Sequence, residues 1–184
     1  MKMFFEHDEL EIVAWLVDGK VGVLRTDTLY GLVCRADNQA AVERIYQVKG
    51  RDNDKSPIVL IANQQQLFDR PTLVMEQFLE TVWPGKISVI IPSVSAPWWI
   101  ERRNTSVAYR LPDSDWLQSL LVWTGQLIAP SANPEGQPPA QTIQRAIEYF
   151  GDSVDFYVDS GEVTDESPSQ LLRMNVAGEI ERLR

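Results

Sequence analysis

Two short polar clusters, far apart in the chain, are the residues best equipped for chemistry. Lys49-Gly50-Arg51, with Lys55 close behind, sets three cations within seven residues. That could hold a polyanion, because arginine offers a planar fork to phosphate oxygens and lysine a flexible point charge. Ser131-Ala132-Asn133 follows an apolar run and puts a hydroxyl and an amide at the carboxyl end of an expected strand, where open α/β sheets usually receive ligands. Each cluster also has a structural alternative: a helix ended by cations that complement its dipole, and a turn capped by small polar side chains. Thr26-Asp27-Thr28-Leu29-Tyr30-Gly31 adds two hydroxyls, a carboxylate and a phenol on one loop. It suits a small polar substrate, or a strand-to-helix turn with Tyr30 packed inward. Arg110 stands inside the apolar run Val107–Leu111, where a charge needs a ligand or a structural ion-pair partner.

Other chemistries lack their residues. Neither glycine-rich phosphate loop, G-x-x-x-x-G-K-[ST] or G-x-G-x-x-G, occurs, so side chains must carry any phosphates. His7 is the sole histidine and Cys34 the sole cysteine, which excludes zinc sites of several Cys or His ligands and any internal disulfide. Ser131 has no G-x-S-x-G surroundings and no credible histidine base, and so reads as a binding hydroxyl. The formal net charge of −9 opposes nonspecific nucleic-acid binding, which depends on Lys and Arg neutralising phosphates. Charge is nonetheless uneven: residues 20–55 hold seven Lys/Arg against five Asp/Glu, whereas residues 148–184 hold three against nine. No run is long and apolar enough for a membrane span or a secretion signal, so a soluble cytoplasmic protein is expected.

The elements that must position these residues alternate between helix and strand. Leu10, Val13, Ala14 and Val17 recur at helical spacing before Gly19, and Val21–Leu24 reads as a strand. Asn38 is a plausible cap for a helix that buries Val42, Ile45 and Val48 and ends at Lys49. Ile58–Ala62 is apolar throughout, the pattern of a central strand covered on both faces. Helix is expected from about Gln64 to Val82, strand over Ile87–Ile91 and a loop at Pro97-Trp98-Trp99. Beyond them come a strand at Val107–Leu111, a helix through Trp116–Leu121, a strand at Leu127–Ala129 and a turn-rich loop from Asn133 to Pro139. A helix with Ile143, Ala146, Ile147 and Phe150 precedes strands near Phe156–Val158, Leu171-Leu172 and Ile180–Leu183. The acidic stretch Glu162–Glu166 reads as a solvated surface loop. At 184 residues the chain is expected to form one α/β domain spanning residues 1–184.

Taken in order, Thr26–Leu32, Lys49-Gly50-Arg51, Trp83-Pro84-Gly85, Val107–Asp113 and Pro130–Gly136 resemble the YrdC/Sua5 family of threonylcarbamoyl-AMP synthases across nearly the whole chain. The resemblance implies a single twisted mixed sheet flanked by helices with a deep concave cavity. It also implies the joining of L-threonine, bicarbonate and ATP into threonylcarbamoyl-AMP and pyrophosphate for a tRNA modification. With no room for the extra C-terminal domain of the longer Sua5 type, the short YrdC-like form is expected. By the same resemblance, Lys49 and Arg51 match a Lys-x-Arg pair and Ser131 and Asn133 a Ser-x-Asn pair, both tied to nucleotide binding and catalysis. Lys55 matches a further phosphate-binding lysine, Arg182 a C-terminal nucleotide-contacting arginine, and Ser169 a late substrate-binding serine. Thr26, Thr28, Tyr30 and Arg110 match threonine-side positions, Arg110 facing the substrate carboxylate. Mg²⁺ would travel with ATP, and a partner threonylcarbamoyl transferase acting on tRNA would take the product. A module for structured RNA and a carbamoyl-transferring relative of a larger maturation protein are the alternatives. This chain departs from the pattern at Arg25, Asp52 and Lys86, each in place of a proline, and at Asp159-Ser160-Gly161 in place of Asp-Gly-Gly. Ile61 stands where many longer members have a histidine.

Overall fold

The computed structural model describes residues 1–165 and 167–184; Glu166, the last residue of the acidic stretch, lies outside the described residues. Among the described residues ten strands form one sheet: β1 (Lys2–Phe5), β2 (Gly22–Arg25), β3 (Tyr30–Arg35), β4 (Ile58–Leu60), β5 (Ile87–Pro92), β6 (Ser106–Arg110), β7 (Leu127–Ile128), β8 (Phe156–Asp159), β9 (Gln170–Met174) and β10 (Ile180–Arg182). Their spatial order is β1-β8-β2-β3-β7-β4-β6-β5-β9-β10. The sheet is mixed. β8 runs parallel to β1 and β2, and β4 parallel to β6, whereas β3 is antiparallel to both β2 and β7. Six α-helices among the described residues accompany it: α1 (Glu9–Val17), α2 (Gln39–Lys49), α3 (Leu73–Val82), α4 (Trp98–Glu101), α5 (Asp115–Thr124) and α6 (Ile143–Phe150).

Side chains alternate across a strand, and here the alternation divides the core in two. Val23, Leu32, Cys34, Val59 and Tyr157 join one cluster with α2, α3 and α6, while Leu24, Val33, Leu60, Phe156 and Val158 join another with α1 and α5. The central strands are therefore apolar on both faces and carry no polar stripe. Asn38 caps α2 by accepting from the Ala41 amide, and Thr72, Ser114 and Thr142 cap α3, α5 and α6 in the same way.

Four local expectations need correction. Tyr30 is not in a loop; it opens β3, a strand the sequence reading lacks, because Thr26 makes a tight turn without glycine or asparagine. The Thr26 amide and hydroxyl both donate to the Leu29 carbonyl, at 2.9 and 2.8 Å. The helix expected over Gln64–Val82 is a 3₁₀ turn at Gln64–Gln66 followed, after Pro71 and the Thr72 cap, by α3. Trp98 and Trp99 belong to the single turn α4. β1 was also unforeseen; it is an edge strand with Phe4 alone buried, so its period-two signal is one residue long. The acidic loop is exposed at Glu162, Thr164 and Asp165, with Val163 buried between them as an anchor.

Candidate active site

Helix α2 ends at Lys49 because Gly50 adopts a left-handed conformation, φ 63°, in which an L side chain is strained. The Gly50 amide donates to Gln47 O and the Arg51 amide to Tyr46 O, the double closure that turns a chain off a helix axis. Lys49 is thereby sent inward and Arg51 outward. The Lys49 ammonium is buried, 3% exposed, and donates to Ser131 O and Asn133 O at 2.7 Å each and to Asn133 Oδ1 at 2.9 Å, with Ser131 Oγ at 3.4 Å. The Glu135 amide donates back to Lys49 O at 2.7 Å. Burial, and after it the nearby Arg51 and Lys55 cations, pushes the Lys49 amine down to about 8, with Glu135 opposing.

Asn133 is equally committed. Its Oδ1 accepts from Ser131 Oγ at 2.6 Å and its Nδ2 donates to Pro134 O and Gln137 O at 3.0 and 2.6 Å. Backbone pairing sets this turn beside the hydroxyl-rich hairpin: Leu32 N donates to Pro130 O at 2.9 Å and Ala132 N to Tyr30 O at 2.8 Å. Gly31 sits at the crossing, where a Cβ would come within 3.3 Å of Pro130 O.

The result is a cavity of about 430 Å³ on whose wall Arg51 and Ser131 meet Thr26, Thr28, Tyr30, Arg110 and Ser169. Seven of the eleven residues singled out in the sequence thus share one hollow. Lys49 and Asn133 stand behind the wall instead of on it, against the expectation that the lysine faces the phosphates directly. Lys55 is exposed, ion-paired with Glu135 and facing a neighbouring groove. Arg182 is exposed on the edge strand β10 and does not line the cavity; Arg184, two residues on, does. Arg51 is aimed by its own loop: its Nε donates to Lys55 O at 3.2 Å and its Nη2 to Ser56 O at 3.0 Å.

The hydroxyl side of the cavity is also internally bonded. Arg110 pairs with Asp27 at 3.0 Å, the two side chains 4% and 2% exposed, and reaches Thr26 Oγ1 at 3.3 Å. Its Nε is buried without a hydrogen-bond partner. The ion-pair reading of Arg110 therefore holds, and Asp27 is the partner that the strand arginine required. Thr28 Oγ1 lies 3.1 Å from Thr26 Oγ1. Tyr30 does not present its phenol to the cavity; the hydroxyl donates to Gly161 O at 2.7 Å and accepts from Ser160 N at 3.1 Å. Burial raises its pKa. Ser169 shares a 2.9 Å contact with the buried Ser88 hydroxyl. Two departures from the family pattern meet here, since Arg25 Nη1 donates to Ser160 O at 3.1 Å and to Glu162 O at 3.3 Å. The cation at residue 25 clamps the altered loop.

Pro139, at the end of the turn-rich loop from Asn133, also lines the cavity, as do Arg184 and Pro168, to which the sequence reading gives no role. Proline carries no chemical signature, and Arg184 shares its side-chain type with Arg182, two residues before it. Asp27 could have been found from the unpaired charge on β6.

Residues 14–184 match the family Sua5/YciO/YrdC, described as "Telomere recombination". The threonylcarbamoyl-AMP synthase of Pseudomonas aeruginosa is 35% identical over 170 residues, which cover 90% of this chain and 91% of that protein. That of Marinobacter nauticus is 32% identical over 161 residues, 84% of each. Among solved structures, P. abyssi Sua5 complexed with L-threonine superposes with a TM-score of 0.86 at 26% identity, covering 95% of this chain and 54% of its own. The chain thus spans about half the length of that protein. Escherichia coli YciO, at 17% identity and a TM-score of 0.87, shares the fold over the whole chain.

Proposed function

The chain belongs to the Sua5/YciO/YrdC family, and from that premise we propose that it is a threonylcarbamoyl-AMP synthase, a nucleotidyltransferase that acts on L-threonine, bicarbonate and ATP. The observation that carries the reading is the single cavity in which Arg51 and Ser131 face Thr26, Thr28 and Arg110. Phosphate-binding and amino-acid-binding groups must share a space if carbamate and α-phosphorus are to meet. The curated relatives are named as synthases, which favours this reading over an RNA-binding module.

The amine of threonine captures carbon dioxide as a carbamate. One carbamate oxygen then forms a bond to the α-phosphorus of ATP as the bond to the β-phosphate oxygen breaks, and the electron pair leaves with pyrophosphate. Two anions must be brought together, so Arg51 offsets their repulsion and Ser131 orients the nucleotide. Lys49 acts through Ser131 and Asn133 by fixing the turn that carries the hydroxyl. Arg110, its charge balanced by Asp27, supplies its free Nε to the threonine carboxylate, and Thr28 and Ser169 bound the substrate. Mg²⁺ enters as part of the substrate Mg-ATP; among the described residues no three His, Cys, Asp or Glu side chains gather into a metal-binding group. No helix of the described residues is long and apolar enough to cross a membrane. The product is destined for a threonylcarbamoyl transferase that modifies tRNA.

The direct test supplies threonine, bicarbonate and Mg-ATP and follows pyrophosphate. Release is expected only when threonine is present, and threonine-independent release would overturn the reading. The pH profile provides a second test. Turnover should fall as pH rises through about 8, where the buried Lys49 loses its proton and one donor of its three-acceptor socket disappears. Because the folded state binds this proton less tightly than the unfolded chain, the linked stability increases from about 8 toward the ordinary lysine range. A melting temperature that collapses in step with turnover would assign the loss to unfolding and not to Lys49.

A further inference from the structure

Arg51 reaches the cavity wall from a loop with little packing of its own, since Asp52, Asn53, Asp54 and Lys55 are all exposed. Polar ties must therefore set its direction. Two of them trace to one residue, Tyr46, which lies near the end of α2 and is buried at 2% exposure. The Tyr46 carbonyl accepts from the Arg51 amide at 3.0 Å. The Tyr46 hydroxyl donates to Lys55 O at 2.6 Å, and that same carbonyl accepts from Arg51 Nε at 3.2 Å. The phenol thus fixes the acceptor against which the guanidinium is aimed. Its ring is also within reach of the cation, with the centroid 5.7 Å from the Arg51 guanidinium carbon.

Arg102 braces the ring. Its guanidinium carbon sits 3.9 Å from the Tyr46 centroid, and its Nη2 pairs with Glu43 of α2 at 2.9 Å, the two side chains 4% and 31% exposed. An arginine this deep needs partners for its charge, and the carboxylate and the aromatic ring supply them. Arg102 also holds φ of 52°, a left-handed conformation that a non-glycine residue keeps only where its surroundings enforce it. Burial raises the Tyr46 pKa against the opposing pull of both arginines, so the phenol remains a donor through the neutral range. We propose that Tyr46 is a positioning residue for Arg51, holding its backbone through one hydrogen bond and the acceptor of its guanidinium through another. This rests on the synthase reading for what Arg51 does in turnover and not for the contact itself.

Tyr46→Phe is the test, because it keeps the ring against Arg102 and leaves Lys55 O its bond from Arg51 Nε. Its melting temperature should stay close to that of the wild type. With isotope-labelled arginine, the Arg51 Nε–H resonance is identified by its absence from Arg51→Ala. In Tyr46→Phe that proton is expected to exchange with water about tenfold faster, the scale of one hydrogen bond. In the pyrophosphate assay the variant should lose about tenfold in kcat and keep the threonine KM. The loss stays short of the roughly 100-fold that an ångström's displacement brings, because Ser56 O still holds Arg51 Nη2. In the Arg51→Ala background the same substitution should change turnover no further. An equal loss in both backgrounds would show that Tyr46 acts through the fold and not through Arg51, and would overturn the proposal. An Arg51 resonance that Tyr46→Phe leaves unaltered would overturn it as well. A wild-type chain that makes no pyrophosphate from threonine and ATP overturns the synthase reading, and the resonance then decides the contact alone.

Discussion

Lys49→Met should lower threonine-dependent pyrophosphate release about 100-fold, the scale expected when a site group is displaced by roughly an ångström. Methionine fills much of the aliphatic space but leaves Ser131 O, Asn133 O and Asn133 Oδ1 without the ammonium that now joins them. Asn133 Oδ1 keeps the Ser131 hydroxyl and Ser131 O the Asn133 amide, so the cost falls mainly on Asn133 O, about 1–3 kcal/mol for an orphaned buried acceptor, partly offset because no charge need then be buried. Lower melting temperature and lower turnover should therefore appear together, in a chain that still folds. Arg51→Ala should behave differently. Arg51 is only half-buried and bonds carbonyls of its own loop, so its loss should reduce turnover on a similar scale with little change in melting temperature. Steady-state pyrophosphate assays with thermal denaturation of both variants make the comparison. Wild-type turnover in Lys49→Met would remove the lysine from the mechanism.

Asp27→Asn should destabilise the chain by about 3–5 kcal/mol, because it leaves the Arg110 cation buried without its counter-charge. Burial holds the Arg110 pKa below its ordinary value and Asp27 opposes that shift. Removing the carboxylate therefore removes the main compensation. Arg110→Met should also destabilise, and the double variant should be more stable than the sum of the two losses predicts, since the pair is then absent and not broken. Urea denaturation of the four chains measures the coupling. Arg110→Met should additionally raise the threonine KM far more than the ATP KM. Strictly additive losses would mean that the 3.0 Å contact contributes nothing to the fold.

How much of this could be read from the residues follows physical lines. The apolar run beginning at Ile58 announced a doubly covered strand because β4 packs both faces, Val59 into one cluster and Leu60 into the other. Asn38 and Gly50 announced the ends of α2 because caps and left-handed turns restrict residue type. The hairpin at Thr26–Leu29 was illegible, since its turn is closed by a threonine side chain that serves equally well as a ligand. The same ambiguity explains Tyr30 and Lys49. A phenol or an ammonium in a motif reveals that a strong hydrogen-bonding group is needed; it does not say whether the partner is a substrate or the protein's own backbone. Arg182 and Arg184 could not be told apart because both lie near the end of an exposed edge strand with no apolar alternation to orient them.

Oxygen atoms gathered from a folded backbone often cage a potassium or sodium ion, and such sites rise and fall with the salt around them. The oxygens of Ser131 and Asn133 that surround the Lys49 nitrogen make a cage of that kind, filled by a cation tethered to the chain itself. Its position is then fixed by covalent connection, and exchanging potassium for sodium in the buffer is expected to leave melting temperature and turnover unchanged while Lys49 stays protonated.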